Sequence, residues 1–582
     1  MPQRFDRLLL VLPGWVAFVL YLPTLSNGFV WDDTYFLTEL PLLRDAELWW
    51  GQISEPLFVS RNYFRPLALA MFALEARVGE LDPFLFHLVN VGLHAANATL
   101  VVVLARMASP VRAVGPAAAA GLMFAVHPAI VENVAWISDR FDLAMVFFLL
   151  LAMACDALPL RTIFRALAAA VLFFFALLSK ETAVVLLALL PLWQALLRVS
   201  GAKPSSPPQR LWTRADITVW AALVLALIAY LALRHAALGY FYVSDSMIAA
   251  GSGLQRVLLV GKTLGWYLAL AVWPFGQMLP VHPARTPVAV DDLLAWAGLG
   301  ATLAVCVMLV VAAWRARWAR GPALAAGMAL VALAPVSNLV PLTIGDNLVH
   351  DRYLILPVAF LAIASSLTWK TWRPFSPAAV VAGSWALASV IAVSILVPRW
   401  ESNLSLWGWA FAREPESRIA SENYVAALVN ANRNEETIAV ARSLLARGPE
   451  LPGATHNLAL ALARLGRYDE AERVVRRAID LHAGIDSKVH LDLSEAYNLL
   501  GYICLRQGRF GEAEQALRRS IVLTPYLTRP HYNLAMLHYE RGNWEEGDRE
   551  LAFAVRYGAP ELAAAHQRLG SEKKQERQAQ RG

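Results

Sequence analysis

Roughly the first 400 residues of this 582-residue chain form a series of apolar runs, each near the length that crosses a bilayer. A backbone in lipid must satisfy its own N–H and C=O groups, so such runs are confined to helices. Spans are expected at 8–25, 84–105, 113–127, 141–158, 164–178, 183–198, 215–234, 293–313, 322–342, 353–370 and 377–397. Only 16% of residues are charged and 58% are hydrophobic, where soluble domains carry about a quarter charged. Cys155, Cys306 and Cys504 include no close pair, which argues against a disulfide framework and a thiolate metal site. The start has basic residues and an apolar stretch but lacks a small-x-small cleavage site, so it reads as a retained first span.

Eleven crossings put every basic loop on one side, which the positive-inside rule makes cytoplasmic. These are Arg4 and Arg7, Arg106 and Arg112, Arg161 and Arg165, the stretch 198–214, "WRARWAR" and "WKTWR". The amino end is then inside and the carboxyl end outside. A further crossing at 256–274 would move "WRARWAR" outside, so that stretch reads as a surface-lying amphipathic segment carrying Arg256 and Lys262. Its Gly261 and Gly265 form a small-xxx-small pair, a pattern too common to decide anything.

Beyond residue 400 the composition is that of soluble helix. "THNLALALARLGRYDEAERVVRRAID", "AYNLLGYICLRQGRFGEAEQALRRSIVLTP" and "HYNLAMLHYERGNWEEGDRELAFAVRYGAP" align on one another, and Gly508 and Gly542 stand 34 residues apart. That is the period of a tetratricopeptide repeat, a helix pair that buries its face only by stacking on neighbours. Gly466 precedes Gly508 by 42, implying an eight-residue insertion, and 421–450 resembles a degenerate first copy. The domains are accordingly 1–400 in the membrane, containing a first external loop at 26–83, then repeats at 401–570 and a disordered tail at 571–582.

Sorted by side, the polar residues converge. Asp32 and Asp33, Arg65, His127, Glu132, Asp139, Arg140, Asp142, Lys180, Glu181, Asp346, His350, Asp351 and Arg352 all fall on the external face. Charge at a membrane boundary is costly unless it pairs or meets water, so a cluster is a functional hypothesis by default. Singly, Lys180–Glu181 and Asp351–Arg352 read as plain interfacial ion pairs. The Asp pair alone reads equally well as a solvated helix end. His87 and His94 read as core.

No Gly-rich phosphate loop, HExxH or GxSxG is present. Carboxylates beside Arg and Lys at a bilayer surface suit a lipid-linked phosphate: the cations hold it as it departs, and a carboxylate takes the proton of an incoming hydroxyl. "NGFVWDDTYFL", "FRPL", "FHLVNVGLHAANATLVVVL", "HPAIVENVAWISDR", "LSKETAVVLLALLPL", "DRYLILP" and the repeat array, in that order, resemble the GT-C glycosyltransferases. Within that class the resemblance is to the tetratricopeptide-containing membrane O-mannosyltransferases and their bacterial relatives.

The resemblance implies an all-α polytopic fold followed by an α-solenoid. It implies inverting transfer of a sugar from a polyprenyl-phosphate donor to a hydroxyl on the periplasmic face of a bacterial inner membrane. Carried over residue by residue, Asp32 is the base and Asp33 supports it. The donor is held among Arg65, His127, Asp139, Arg140, Lys180, Glu181, His350 and Arg352. The expected partners are the donor lipid, membrane lipids and a protein acceptor on the repeats, with no nucleic acid. No particular cofactor is implied, and a divalent cation on the acidic pair stays open. The other readings are an enzyme that decorates a glycan or lipid, and a non-enzymatic scaffold or transporter. A transporter would show internal pseudo-symmetry or polar groups at the midplane, and spans such as 164–178 and 377–397 carry no ionisable residue well inside.

Overall fold

A computed structural model describes residues 2–34, 37, 63–79, 81–110, 113–200, 212–241, 251–283, 286–339, 347–369, 376–447, 451–483, 491–558 and 560–579. Asp346 and most of the first external loop lie outside these. The helices of the first 400 residues are α1 (Pro2–Leu20), α2 (Pro66–Gly79), α3 (Pro83–Ala108), α4 (Val114–Ala125), α5 (Val131–Ala135), α6 (Arg140–Ala157) and α7 (Thr162–Ser179). They continue with α8 (Leu186–Val199), α9 (Arg214–Leu238), α10 (Gly253–Val272), α11 (Leu293–Arg315), α12 (Arg320–Ala332), α13 (Ile355–Thr368) and α14 (Pro377–Leu396). The chain forms two compact units: one within Met1–Gly28, Gln52–Glu75 and Asp82–Glu401, the other within Phe29–Gly51, Ala76–Leu81 and Ser402–Gly582.

The first unit is an integral membrane bundle. Among the described residues nine helices are long and apolar enough to cross a membrane, and ten if α4 and the bent segment 128–135 count as one span. The remaining expected span, 141–158, is α6, which falls short of that test while carrying Arg140, Asp142 and Asp156 at its ends. The helix α10 is also outside the nine. It packs through Gly261 and Gly265 on the first turns of α11, where a Cβ at Gly265 would fall on the Gly298 backbone. The small-residue pair thus makes a close helix crossing.

A polar stripe on α3 organises the external-loop end. His87, Asn90, His94 and Asn97 recur at helical spacing and are wholly buried. Three of these side chains meet backbone carbonyls of other segments: Asn90 donates to Trp136 O at 3.1 Å, Asn97 to Leu143 O at 3.1 Å, and His94 Nε2 lies 3.1 Å from Ala125 O at the end of α4. Backbone that leaves helical geometry inside a membrane protein needs such partners. Two of the points where the chain leaves this unit are joined, Gly28 N–H donating to Glu401 O at 3.0 Å.

The second unit begins with α15 (Asn403–Arg413). Four helix pairs follow: α16 (Arg418–Asn430) with α17 (Asn434–Arg447), α18 (Pro452–Arg464) with α19 (Tyr468–Ala483), α20 (Leu491–Arg506) with α21 (Phe510–Leu523), and α22 (Thr528–Glu540) with α23 (Trp544–Tyr557). Each first helix ends on one residue in the left-handed region: Asn432, Gly466, Gly508 and Gly542, at φ 58, 76, 74 and 77°. After each, the next residue's N–H reaches back five residues: Arg433 to Leu428 O, Arg467 to Leu462 O, Arg509 to Cys504 O and Asn543 to His538 O. This is the same Schellman closure four times, and asparagine serves in the first copy because it tolerates left-handed backbone. The tail expected to be disordered instead continues α24 (Pro560–Ala579), its Lys573 paired with Glu540 and Glu576.

Candidate active site

In the membrane unit, the elements 128–139, the start of α6, the turn joining α7 to α8 and the segment 350–354 bring most of the expected residues together. Two aromatic rings gather the cations. Tyr353 lies under Lys180 Nζ at 4.6 Å and the Arg352 guanidinium at 5.1 Å, while Phe141 lies 4.7 Å from that of Arg65. Every cation has a carboxylate. Arg65 Nε donates to Glu181 at 3.1 Å, Lys180 to Asp142, and Arg352 Nη1 to Glu132 at 2.6 Å, with Asp139 3.7 Å from Arg352 Nε.

The adjacent opposite charges Lys180–Glu181 and Asp351–Arg352 are therefore not pairs with each other. Each member bonds a different element, Asp351 meeting His282 Nε2 at 2.8 Å. This is how a network is built from distant loops, and it corrects the reading of simple neighbour pairs.

Two expected donor-binding residues are committed to the fold. Arg140 is wholly buried: it pairs with Glu75, and donates to Asn90 Oδ1 at 2.7 Å and Phe86 O at 2.6 Å. His127 is wholly buried too, with Nδ1 accepting from Ala129 N–H at 3.2 Å and Nε2 3.2 Å from Ala271 O. Both side chains have their polar atoms turned to protein partners.

His350 is the opposite case. It is 2% exposed, and neither ring nitrogen has a hydrogen-bond partner among the described residues. Its backbone N–H donates to Tyr267 Oη at 3.3 Å, which fixes the residue while leaving the ring unspent. Burial, with Arg352, His282 and Lys180 nearby, holds its pKa well below the usual histidine value, so the ring is neutral. Asp139 accepts from Asn133 Nδ2 at 2.6 Å, and burial beside Asp142 pushes its pKa well above the carboxylate range.

Sequence reasoning missed Arg234 and His282. Arg234, near the end of α9, lies 3.7 Å from Glu181 Oε1 and donates to Phe241 O at 3.2 Å. The signal was available: an arginine at the end of span 215–234 remote from the basic stretch 198–214 runs against the charge rule.

The acidic pair belongs to the second unit. Asp33 is wholly buried, its Oδ2 accepting from Val30 N–H at 3.2 Å and its own N–H donating to Val30 O at 3.0 Å. Asp32 is half-buried in the same turn. Among the described residues no group of three His, Cys, Asp or Glu is placed to hold a metal ion, so the divalent cation left open above finds no ligand set there.

Comparison with known proteins follows from this geometry. Tetratricopeptide-repeat models match residues 450–521 and 528–552. Protein O-mannosyl-transferase Tmtc1 of Drosophila melanogaster is 40% identical over 149 residues, 24% of this chain and 16% of that protein. Protein O-mannosyl-transferase TMTC2 of Mus musculus is 35% identical over 149 residues, 24% of this chain and 17% of that protein. TMTC1 of Homo sapiens, another protein O-mannosyl-transferase, is 35% identical over 136 residues, 22% of this chain and 15% of that protein. The matched stretch spans about one sixth of these relatives' length. The solved tetratricopeptide protein YrrB is 18% identical, covering 28% of this chain and 81% of its own, at a TM-score of 0.22 that carries no argument. The chain is thus a helical membrane protein with tetratricopeptide repeats in its carboxyl-terminal third, and over about a quarter of its length it is similar to proteins named protein O-mannosyl-transferases.

Proposed function

We propose that this protein transfers a monosaccharide from a polyprenyl-phosphate-linked donor to a hydroxyl of a protein acceptor on the periplasmic face of the membrane. The observation that carries the reading is the gathering of Arg65, Lys180, Arg234 and Arg352 around Tyr353, Phe141 and Glu181, at one end of the membrane helices. Guanidinium and ammonium groups at that depth suit a phosphate on a lipid. The names of the relatives and the repeats support a sugar donor and a protein acceptor.

In this reading Asp32 takes the acceptor hydroxyl's proton as its oxygen attacks the anomeric carbon. The bond from that carbon to the phosphate oxygen breaks, and the phosphate leaves with the electron pair, inverting the centre. Asp33 supports the turn. Arg65, Lys180, Arg234 and Arg352 stabilise the departing phosphate, and the unspent His350 ring donates one N–H to it. Arg140 and His127 hold the frame, while Glu181 and Asp139 orient cations.

Mass spectrometry of periplasmic proteins with and without the gene tests the reading, and a sugar mass present only with it is the expected result. Complementation with Asp32→Asn should restore the protein but not the mass. Restoration of the mass by that variant removes Asp32 from the mechanism.

A further inference from the structure

We infer that Asn403 and Trp407, on the first helix of the repeat unit, are positioning residues for Asp32, so that the base is mounted on the unit that holds the acceptor. The inference rests on the reading of Asp32 as base and adds what sets its geometry. Trp31, the residue before Asp32, has φ of 55°. A tryptophan in the left-handed region costs about 1–2 kcal/mol and persists only where its surroundings hold it there.

Three contacts do so, all within the second unit. Asn403 Oδ1 accepts from Trp31 N–H at 2.7 Å. The same amide's Nδ2 donates to Thr34 Oγ1 at 3.2 Å. The Trp31 ring stands edge-on to Trp407, with centroids 5.1 Å apart at 84°, and Trp407 is 1% exposed. One side-chain amide therefore brackets the aspartate pair, gripping the residue before it and the residue after it. Within the bracket the turn closes on itself, with Thr34 N–H donating to Trp31 O at 3.3 Å and Asp33 bonded both ways to Val30.

The grip is rigid at its other end. Ser402 caps α15, its Oγ accepting from Ser405 N–H at 3.2 Å, so Asn403 sits in the first turn of a capped helix. Asn403-Leu404-Ser405 has the form of an N-glycosylation sequon, and its amide is engaged in holding the strained turn. A strained residue beside a reactive one is where a fold stores pre-organisation.

The test complements a gene deletion with full-length variants. It reads the rate of sugar addition to periplasmic proteins after induction, per folded molecule counted by size exclusion. Asn403→Ala should lower the rate on the order of tenfold or more, while Asn403→Asp, which keeps the acceptor for Trp31 N–H and can accept a hydrogen bond from the Thr34 hydroxyl, should stay within about threefold of the parent. Should Asn403→Ala not fold, Thr34→Val decides, since it removes only the outer bond: a lowered rate supports the inference and an unchanged one overturns it. Asn403→Ala at the parental rate, with Asp32→Asn inactive, overturns the positioning role and leaves the base assignment standing. An active Asp32→Asn overturns both.

Discussion

Two clusters of buried charge lie at opposite ends of the same four helices, α6 to α9, and they differ in how completely they close. At one end Asp156 and Asp216 are met on all four carboxylate oxygens. Arg165 reaches them at 2.6 and 3.3 Å, Gln194 reaches Asp156 at 3.2 Å, and Arg198 and Thr213 complete Asp216. At the other end the ion pairs of Arg65, Lys180 and Arg352 surround a histidine whose ring bonds nothing among the described residues. There, too, Glu75 Oε2 and Asn133 Oδ1 have no hydrogen-bond partner among the described residues. A buried polar atom without a partner costs about 1–3 kcal/mol, so a fold that needs only a clip closes it. The closed end has the character of a fastening, with Arg165 Nε alone among its side chains lacking a partner among the described residues, while the open end leaves both His350 nitrogens, Glu75 Oε2 and Asn133 Oδ1 without one.

The sharpest way to break this contrast is to damage the closed end. Asp216→Ala takes the carboxylate from the partly buried Arg198 and leaves the buried Arg165 with Asp156 alone, which should cost about 3 kcal/mol, seen as a large fall in melting temperature in detergent, with sugar transfer per surviving folded molecule unchanged. A selective loss of transfer would show that this end, too, takes part in chemistry. The second effect belongs to the open end. His350→Phe removes two unpartnered nitrogens and should leave the melting temperature level or raised, yet slow transfer by about a hundredfold, as loss of one donor to a developing anion does. Full activity in that variant would make the open end an imperfect clip. A third, smaller effect comes through α10, whose Tyr267 holds the His350 backbone. Gly298→Val would push α10 off α11 at about 1–3 kcal/mol, and transfer should fall further than the melting temperature alone accounts for. Equal losses in both would detach α10 from the site.

Much of this was legible in the sequence, and the part that was not has a physical reason. Apolar length located the helices, and a 34-residue period located the repeats. The degenerate first copy is explained by Asn432 standing where the other copies have glycine. Residue type also flagged Arg65, Lys180 and Arg352. Pairing was not legible, because the partner of each charge sits on an element remote in sequence: Glu75 for Arg140, Glu181 for Arg65, His282 for Asp351. Hence the protein partners of Arg140 and His127 were not foreseen, since identity alone does not say whether a buried cation or ring is already spent. The stripe His87–Asn90–His94–Asn97 was visible at helical spacing, but the carbonyls it answers to lie on other segments. The acidic pair's place in the repeat unit follows from Asn403, 372 residues from Trp31, a separation that no local pattern bridges.

The finest test concerns one proton. Asp139 keeps its proton in the fold above the value near 4 of an exposed aspartate, because burial and Asp142 disfavour its charge. Between that value and the raised one the folded chain binds more protons than the unfolded chain, so stability falls as pH rises through the window, by up to about 1.4 kcal/mol per pH unit. Asp139→Asn, fixed in a neutral state, should flatten this slope in melting curves taken from mildly acidic to neutral pH. Parallel curves for variant and parent would mean that Asp139 is ionised in the fold, which binds Arg352 between two carboxylates and closes that side of the network much as the opposite end is closed. A flattened slope means instead that Arg352 faces Glu132 alone, with attraction left over for an anion arriving beside His350.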